Sequence, residues 1–303
     1  MPSIQSPLGA LPSRFRRERV LLVGCGDVGL RAASLLRGKV QLLALTSTAS
    51  RRVELRSHGV QPIMGNLDYA STCQRLAGVA TRVLHLAPPP SEGWLDPRTL
   101  ALTRALRKRT LPLALVYGST SGVYGDCAGA WIDETRAPRA DTPRARRRLH
   151  AEQAVRFLGR SGGVRASTLR VPGIYAQDRD GGTPEPRLLK GTPVLVEPDD
   201  VYTNHIHADD LARACVAALW RGRAQRTYNI NDDTVLKMGD YFDLAADLYG
   251  LARPPRVSRQ GADTQLPLML LSFMSESRRM VNLRMKAELG VRLRYPTVRE
   301  GLA

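Results

Sequence analysis

A glycine-rich turn between an apolar strand and a helix is the feature that most constrains how this chain can fold. The predicted strand 20–23 runs directly into Gly24-Cys25-Gly26-Asp27-Val28-Gly29, and a helical stretch follows to residue 36. In this context the pattern G-x-G-x-x-G is typical of a dinucleotide-binding βαβ unit. The first glycine permits a tight turn, the second lets the backbone approach a pyrophosphate, and the third allows close packing of helix on strand. The amides at the helix N-terminus would hold the phosphates.

Short apolar runs alternate with helical stretches from Val20 to Ile230. Such alternation predicts an α/β fold, a doubly wound parallel Rossmann sheet covered by helices on both faces. The predicted strands are 20–23, 41–45, 61–64, 82–86, 113–117, 164–170 and 227–230. The predicted helices include 28–36, 97–108, 146–158 and 209–220.

A smaller lobe is predicted where the composition and rhythm of the chain change. Residues 171–200 are rich in Gly and Pro, and after Asn231 a helix at 238–249 is followed by a Pro-rich stretch. We expect residues 20–170 plus 201–230 to form the NAD(P)-binding Rossmann domain, and 171–200 plus 231–303 to form a discontinuous C-terminal substrate lobe. Residues 1–19 are expected to be a disordered basic tail, with an amphipathic organelle transit peptide as the alternative.

The net charge raises the question of a nucleic-acid partner. The chain has 45 Lys and Arg residues against 28 Asp and Glu residues, which gives +17, and only five of the 45 cations are lysine. Phosphate neutralisation would use such a charge, but the cations are dispersed and aromatic residues make up only 5% of the chain. We therefore expect no nucleic acid as the main partner. The apolar runs are much shorter than the roughly 20 residues of a membrane-spanning helix, so no membrane partner is expected.

The cysteines and histidines give no sign of a disulfide framework or a metal site. Four cysteines are spread over the 303 residues without a C-x-x-C pair, which indicates reduced thiols in a cytoplasmic protein. His205 and His207 alternate on an extended segment, and no third ligand stands at a suitable spacing. We expect a monomer or a homodimer with a small-molecule substrate and no metal.

The end of the second predicted strand favours NADP over NAD. An acid is expected there to receive the ribose hydroxyls of NAD, yet the chain reads Thr46-Ser47-Thr48-Ala49-Ser50-Arg51-Arg52. Hydroxyls followed by guanidinium groups would bind a 2′-phosphate through charge-assisted hydrogen bonds. The alternative is that the two arginines merely begin a solvated helix.

Four further segments resemble one enzyme family. They read V-Y-G-S-T-S-G-V-Y-G-D at 116–126, L-R-V-P-G-I-Y at 169–175, N-H-I-H-A-D-D-L-A at 204–212 and Y-N-I at 228–230. Together with the glycine turn they resemble the extended short-chain dehydrogenase/reductases, the NAD-dependent epimerase/dehydratase family that includes nucleotide-sugar epimerases. The resemblance runs through most of the chain and says little about the substrate.

The resemblance implies roles for individual residues, but this chain differs from the family at two catalytic positions. It implies that Thr120 hydrogen-bonds the substrate hydroxyl or carbonyl. In the family a Tyr on the next helix exchanges the proton and a Lys holds the nicotinamide ribose, and by register these positions are Arg144 and Arg148. A guanidinium, with a pKa above about 12, cannot exchange a proton near neutral pH. Arg148 could still bind the ribose or a phosphate, so the chain resembles an atypical member lacking the Tyr/Lys pair.

Three outcomes remain open for the chemistry. A substitute acid is the first, and Tyr124 joins Thr120 as the predicted catalytic pair, with a buried Tyr that packs under the lobe as the alternative. The second outcome is a catalytically silent NADP(H) redox sensor. The third is a reaction that takes its proton from water. The first and third describe an oxidoreductase for a small carbonyl or alcohol, or for a nucleotide-sugar-like substrate, and Arg278, Arg279 and Asn282 are candidates for contacts to an anionic one.

The predicted cofactor-binding residues combine the glycine turn with the carboxyl ends of neighbouring strands. Asn66 falls where the family carries an Asp that contacts the adenine amino group. The full set is Gly24, Gly26, Asp27, Val28, Gly29, Thr46, Ser47, Arg51, Asn66, Leu67, Leu86, Ala87, Arg148 and Pro172.

Overall fold

A seven-stranded, fully parallel sheet forms the centre of the computed structural model, which describes residues 18–303. Its strands are β1 Arg19–Val23, β2 Gln41–Thr46, β3 Val60–Met64, β4 Arg82–His85, β5 Ala114–Thr120, β6 Arg165–Val171 and β7 Arg226–Asn229. The strand order is β7-β6-β5-β4-β1-β2-β3. The order reverses between β1 and β4, and ligands of open α/β sheets bind at such a switch point. The predicted fold class is confirmed.

Twelve helices surround the sheet or build the lobe in the described residues. They are α1 Asp27–Leu36, α2 Arg51–Ser57, α3 Ala70–Cys73, α4 Pro97–Leu106, α5 Pro143–Gly162, α6 Glu185–Leu189, α7 Ala208–Arg221, α8 Met238–Tyr249, α9 Arg259–Gln265, α10 Leu268–Met274, α11 Leu283–Leu289 and α12 Val298–Leu302. No helix in this part of the chain has the length and apolar character that crossing a membrane requires.

Helix α5 is longer at both ends than the predicted 146–158. Pro143 occupies its first turn, where a missing N–H costs nothing, and the Thr142 side chain accepts a hydrogen bond from Ala145 N at 3.2 Å. Gly163 ends the helix with φ +68°, the left-handed conformation that glycine adopts without strain. The extra N-terminal turn carries Arg144 toward the carboxyl edge of the sheet.

Each face of the sheet is covered by its own layer of helices. Alternate strand residues point to opposite faces, so Val20 and Leu22 join one apolar cluster with α1, α7 and α11, while Leu21 and Val23 join the other with α4 and α5. Both faces are buried, which is why the strands read as continuous apolar runs.

The lobe has an apolar core of its own, built from residues on both sides of the last sheet strand. This third cluster contains Tyr175 and Leu188 from the first part and Tyr241, Phe242 and Leu302 from the second. Short strand pairs, such as Gly173–Tyr175 with His205–His207, join it to the sheet domain.

Two details differ from the predicted boundaries. Helix α11, expected in the lobe, packs with α7 on the sheet through the buried side chains of Met285 and Leu289. Strand β1 begins at Arg19, the last residue of the predicted tail, and Glu18 forms an ion pair with Arg82. Residues 1–17 of that tail lie outside the described part of the chain.

A buried ion pair links α5 to β6 beneath the carboxyl edge of the sheet. Arg170 Nη2 lies 2.9 Å from Glu152 Oε2, and both side chains are 3% exposed. The other oxygen of Glu152 accepts a hydrogen bond of 2.6 Å from Ser119 Oγ. Because two charges satisfy each other away from water, the loss of either one leaves an uncompensated buried charge.

The substitution Arg170→Met is expected to lower the free energy of unfolding by about 3 to 5 kcal/mol, because it leaves the Glu152 carboxylate unpaired. The double variant Arg170→Met/Glu152→Met should recover much of that loss. Urea unfolding followed by circular dichroism measures both. Equal stability of the single variant and the wild type would contradict the role assigned to the pair.

Candidate functional site

The glycine turn brings the carboxyl ends of β1 and β4 into direct contact. The backbone amides of Leu86 and Ala87 donate to Val23 O at 2.7 and 2.9 Å. Gly24 has φ +90°, and a Cβ there would lie 2.2 Å from Ala87 N. Only glycine fits this position, since any side chain would separate the two strands.

The space beside the turn is open where a pyrophosphate is expected. A Cβ on Gly26 would meet no atom within 4 Å, and no side chain caps the N-terminus of α1. Amide donors at an uncapped helix N-terminus suit an anion. A cavity of about 210 Å³ adjoins them, lined by Gly24, Gly26, Asp27, Val28, Gly29, Leu86, Gly118, Ser119, Arg148, Val171, Ile174, Arg179 and Leu211.

Two arginines bring positive charge to this cavity from opposite sides. Arg148 Nη1 donates to Gly118 O at 2.8 Å and to the Tyr117 hydroxyl at 3.3 Å, which fixes the guanidinium at the end of β5. Arg179 reaches from the lobe and pairs with Asp27 at the start of α1. The residues present therefore fit a phosphate-bearing nucleotide.

A further ion-pair cluster holds the lobe loop onto α1. Arg31 lies 2.9 Å from Asp27, 2.6 Å from Asp178 and 2.5 Å from Asp209. Since these acids come from α1, the loop after β6 and α7, one guanidinium joins three separate elements beside the cavity.

The end of β2 shows a pairing that counting residues along the sequence missed. Arg51 lies 3.0 Å from Glu54, one helical turn along α2, and holds the pKa of that carboxyl below its usual range. Thr46 Oγ1 accepts a hydrogen bond from Thr48 N at 3.2 Å and so shapes the turn. Ser47 is exposed between them. Glu54 thus pairs with an arginine that was expected to bind the 2′-phosphate. It lies further along the sequence than the acid that binds the ribose hydroxyls of NAD would.

The predicted adenine contacts lie apart from the cavity beside the glycine turn. The Asn66 carboxamide oxygen accepts from Asp68 N at 2.9 Å, within its own turn. Leu67 is buried and lines a different cavity of about 430 Å³ beside α3 and α4. Both residues follow β3, at the same edge of the sheet as the glycine turn.

A larger cleft of about 570 Å³ separates the sheet from the lobe. The sheet domain lines it with Thr120, Ser121, Gly122, Arg144 and His205, and the lobe lines it with residues that include Pro172, Arg187, Tyr241, Phe242, Glu276 and Arg278. Ile174 and Arg179 line both spaces, so the cleft adjoins the cavity beside the glycine turn.

Two side-chain oxygens lie near Gly122 on the wall of the cleft. A Cβ placed on Gly122 would lie 3.7 Å from Thr120 Oγ1 and 3.9 Å from Glu276 Oε2. Thr120 Oγ1 already accepts a hydrogen bond from Gly122 N at 3.3 Å, so its own proton is free to be donated. Glu276 lies 2.8 Å from Arg278, and its charge also interacts with that of Arg144. Because Thr120 and Glu276 both line the cleft, it presents a hydroxyl group and a carboxyl group to a bound molecule.

Glu276 is the site residue that sequence reasoning missed. It stands in the C-terminal segment, where Arg278 and its neighbours drew attention as possible anion ligands. Its position opposite Thr120 depends on how the lobe folds back over the sheet, and no local spacing predicts that.

Tyr124, predicted as the substitute acid or as a buried packing residue, does not line the cleft. Its side chain is 0% exposed, and its hydroxyl donates to Asn229 Oδ1 at 2.7 Å. The Arg170 guanidinium lies 4.6 Å from the ring centroid. Burial raises the pKa of Tyr124. The short helix Ser121–Tyr124 turns this ring inward beneath the lobe, so it serves packing.

The histidines and cysteines offer no metal site in the described residues. His205 stacks on Tyr241 with ring centroids 4.2 Å apart, and His207 Nδ1 accepts from Asp209 N at 3.2 Å. All four cysteines are buried and free.

Comparison with known proteins agrees with this architecture. Residues 97–231 match the sequence profile of the NAD dependent epimerase/dehydratase family, which confirms the family resemblance. A functionally unknown conserved protein from Silicibacter pomeroyi is 29% identical, with 94% of this chain and 96% of that chain covered and a TM-score of 0.77. No curated protein matches the sequence.

Two solved epimerases share the fold at lower identity. UDP-glucose 4-epimerase from Thermotoga maritima, determined with UDP-glucose, is 18% identical with a TM-score of 0.76. UDP-glucose 4-epimerase from Thermus thermophilus, determined with NAD, is 23% identical with a TM-score of 0.74. In each case 94% of this chain and 96% of the other are covered.

The substitution Tyr124→Phe is expected to destabilise the protein by about 1 to 3 kcal/mol, because it leaves the buried Asn229 oxygen without its donor. Urea unfolding measures this loss, and Tyr69→Phe on the exposed surface serves as the matched control. Turnover per folded molecule should not change. A collapse of turnover with unaltered stability would restore Tyr124 as the proton donor.

Proposed function

We propose, because residues 97–231 match the sequence profile of the NAD dependent epimerase/dehydratase family, that this chain is an NADP(H)-dependent oxidoreductase for a small alcohol or carbonyl compound. The observation that carries the proposal is the pairing of two adjoining spaces at one edge of the sheet. The cavity beside the glycine turn suits a nucleotide, and the cleft next to it presents Thr120 and Glu276 to a substrate.

The chain's own residues account for nucleotide binding. The amides at the start of α1 and the guanidinium groups of Arg148 and Arg179 would hold the pyrophosphate and the nicotinamide ribose. Ser47, Arg51 and Arg52 would bind the 2′-phosphate of NADP at the end of β2. When bound, the nicotinamide accepts or donates the hydride of the substrate carbon.

Proton transfer falls to the residues around Gly122. Thr120 donates a hydrogen bond to the substrate oxygen and so fixes its position. Glu276 accepts the hydroxyl proton as an alcohol becomes a carbonyl, and returns it in the reverse direction. Arg278, 2.8 Å from Glu276, holds its carboxyl group in position. Glu276 thus replaces the Tyr of the family, whose position Arg144 occupies.

Epimerisation fits these residues less well than oxidation or reduction. It needs return of the hydride to the opposite face of the same carbon, together with prompt proton exchange at the oxygen. The family's Tyr supplies that exchange, and here a guanidinium stands in its place. Incubation with NADPH and a panel of carbonyl compounds tests the proposal. Tight NADPH binding without turnover of any of them would favour the catalytically silent redox sensor.

Replacing both Arg51 and Arg52 by Ala is expected to raise the Kd for NADPH about 10- to 100-fold and to change the Kd for NADH little, because only NADPH carries the 2′-phosphate. Glu54→Gln should lower the Kd for NADPH, because it removes the carboxylate that pairs with Arg51. Quenching of nucleotide fluorescence measures both constants, with Arg56→Ala on the same helix as the control. Equal losses for the two nucleotides would contradict NADP selectivity.

The substitution Glu276→Gln is expected to lower kcat about 10²- to 10⁴-fold while leaving the Kd for NADPH unchanged, because the amide keeps the shape of the carboxyl but cannot accept the proton. Steady-state turnover of the best substrate in the panel is the measurement. Glu197→Gln on the exposed surface of the lobe is the control. Full activity of the Glu276 variant would remove it from the mechanism.

A further inference from the structure

Arg187 lies on the lobe wall of the cleft, on the short helix α6. Its guanidinium carbon lies 4.3 Å from the centroid of the Phe242 ring. The next residue back along α8, Tyr241, stacks against His205, and all four side chains line the same cleft. Arg187 is therefore held against an apolar wall and not directed into bulk water.

The guanidinium lacks the partners that its burial requires. Nε and Nη2 of Arg187 are buried, and neither has a hydrogen-bond partner among the residues the structure describes. Burial lowers the pKa of Arg187, since desolvation disfavours the cation. The residue as a whole is partly buried, but buried donors without an acceptor are costly, and natural structures rarely keep them unless another group completes them.

Two other arginines of the cleft form ion pairs with acids. Arg278 lies 2.8 Å from Glu276, and Arg179 pairs with Asp27. Within the described chain, Arg187 forms no ion pair with any carboxylate. The missing counter-charge is therefore not supplied by the protein around the cleft.

A second polar atom on the same wall is also without a partner. Nδ1 of His205 is buried and makes no hydrogen bond within the described residues, and the side chain is 8% exposed. Burial lowers the pKa of His205 to about 4, so the imidazole is neutral at physiological pH. A neutral imidazole can donate one hydrogen bond without adding charge.

We propose that Arg187 is the anchor for an oxyanion of the substrate, a carboxylate or a phosphate group, with His205 as a neutral neighbour on the same wall. The inference rests on the proposed function and names its substrate class: an alcohol or carbonyl compound that also carries an anionic group. Thr120 and Glu276 contact the reacting oxygen of the substrate, and Arg187 binds its anionic group. The cleft, at about 570 Å³, has the size of a small-molecule site.

Binding of simple anions tests this assignment. Malonate and inorganic phosphate are titrated separately by calorimetry into the full-length protein saturated with NADPH, so that neither anion can occupy the nucleotide cavity. The wild type is expected to bind at least one of them, and the tighter of the two identifies carboxylate or phosphate chemistry. Arg187→Gln should weaken that binding at least tenfold.

Matched variants separate the cleft from other cationic positions. Arg253→Gln, which removes an exposed arginine of the same lobe, should bind the anion as the wild type does. Arg187→Lys keeps the positive charge but loses the planar guanidinium group, and this variant should bind the anion several-fold more weakly than the wild type. This variant decides the question if Arg187→Gln does not fold. Absence of anion binding by the wild type, or equal binding by it and both Arg187 variants, would overturn the proposal.

The experiment distinguishes failure of the Arg187 proposal from failure of the proposed NADP(H)-dependent function. If NADPH does not bind, the cofactor assignment fails, and the anion titration is repeated on the protein alone. Loss of binding in Arg187→Gln but not in Arg148→Gln would then still place the anion in the cleft. Loss in Arg148→Gln alone would place it in the nucleotide cavity and overturn the assignment to Arg187.

Discussion

The close contact between β1 and β4 at Gly24 determines where a ligand can bind in this molecule. Two amides after β4 donate to the last carbonyl of β1, and a Cβ on Gly24 would lie 2.2 Å from one of them. This contact fixes the start of α1, whose uncapped N-terminus then opens onto the cavity. The remaining site residues follow strands that end at the same edge, because parallel strands place their carboxyl ends together.

Ion pairs and hydrogen bonds hold several of the arginines in place around the candidate site. Arg31 joins three acids, Arg170 pairs with a buried glutamate, and Arg278 holds Glu276 in the cleft. The pair of Arg31 with Asp178 connects the lobe loop to α1, whereas the other pairs lie within the sheet domain or within the lobe. Against that background Arg187 stands out, since its buried nitrogens have no acid or other hydrogen-bond partner in the described residues.

The sequence predicted the elements whose signals are local. The glycine turn, the seven strands and the helix of residues 238–249 follow from runs of neighbouring residues, and all are present. The burial of Tyr124 could not be predicted, because its spacing from Thr120 is local while the direction of its ring depends on Asn229 in β7. Glu276, the pairing of Arg51 with Glu54 and the position of α11 likewise depend on contacts that a reading of strand and helix patterns does not contain.

Hydrogen–deuterium exchange with and without NADPH tests the central claim, that one edge of the sheet holds both the nucleotide and the reacting group. NADPH is expected to slow exchange at residues 24–29 and at residues 118–119 near the end of β5, because both border the nucleotide space. The lobe surface around 243–253 should be unaffected. Protection confined to other regions, or none at saturating NADPH, would contradict the account.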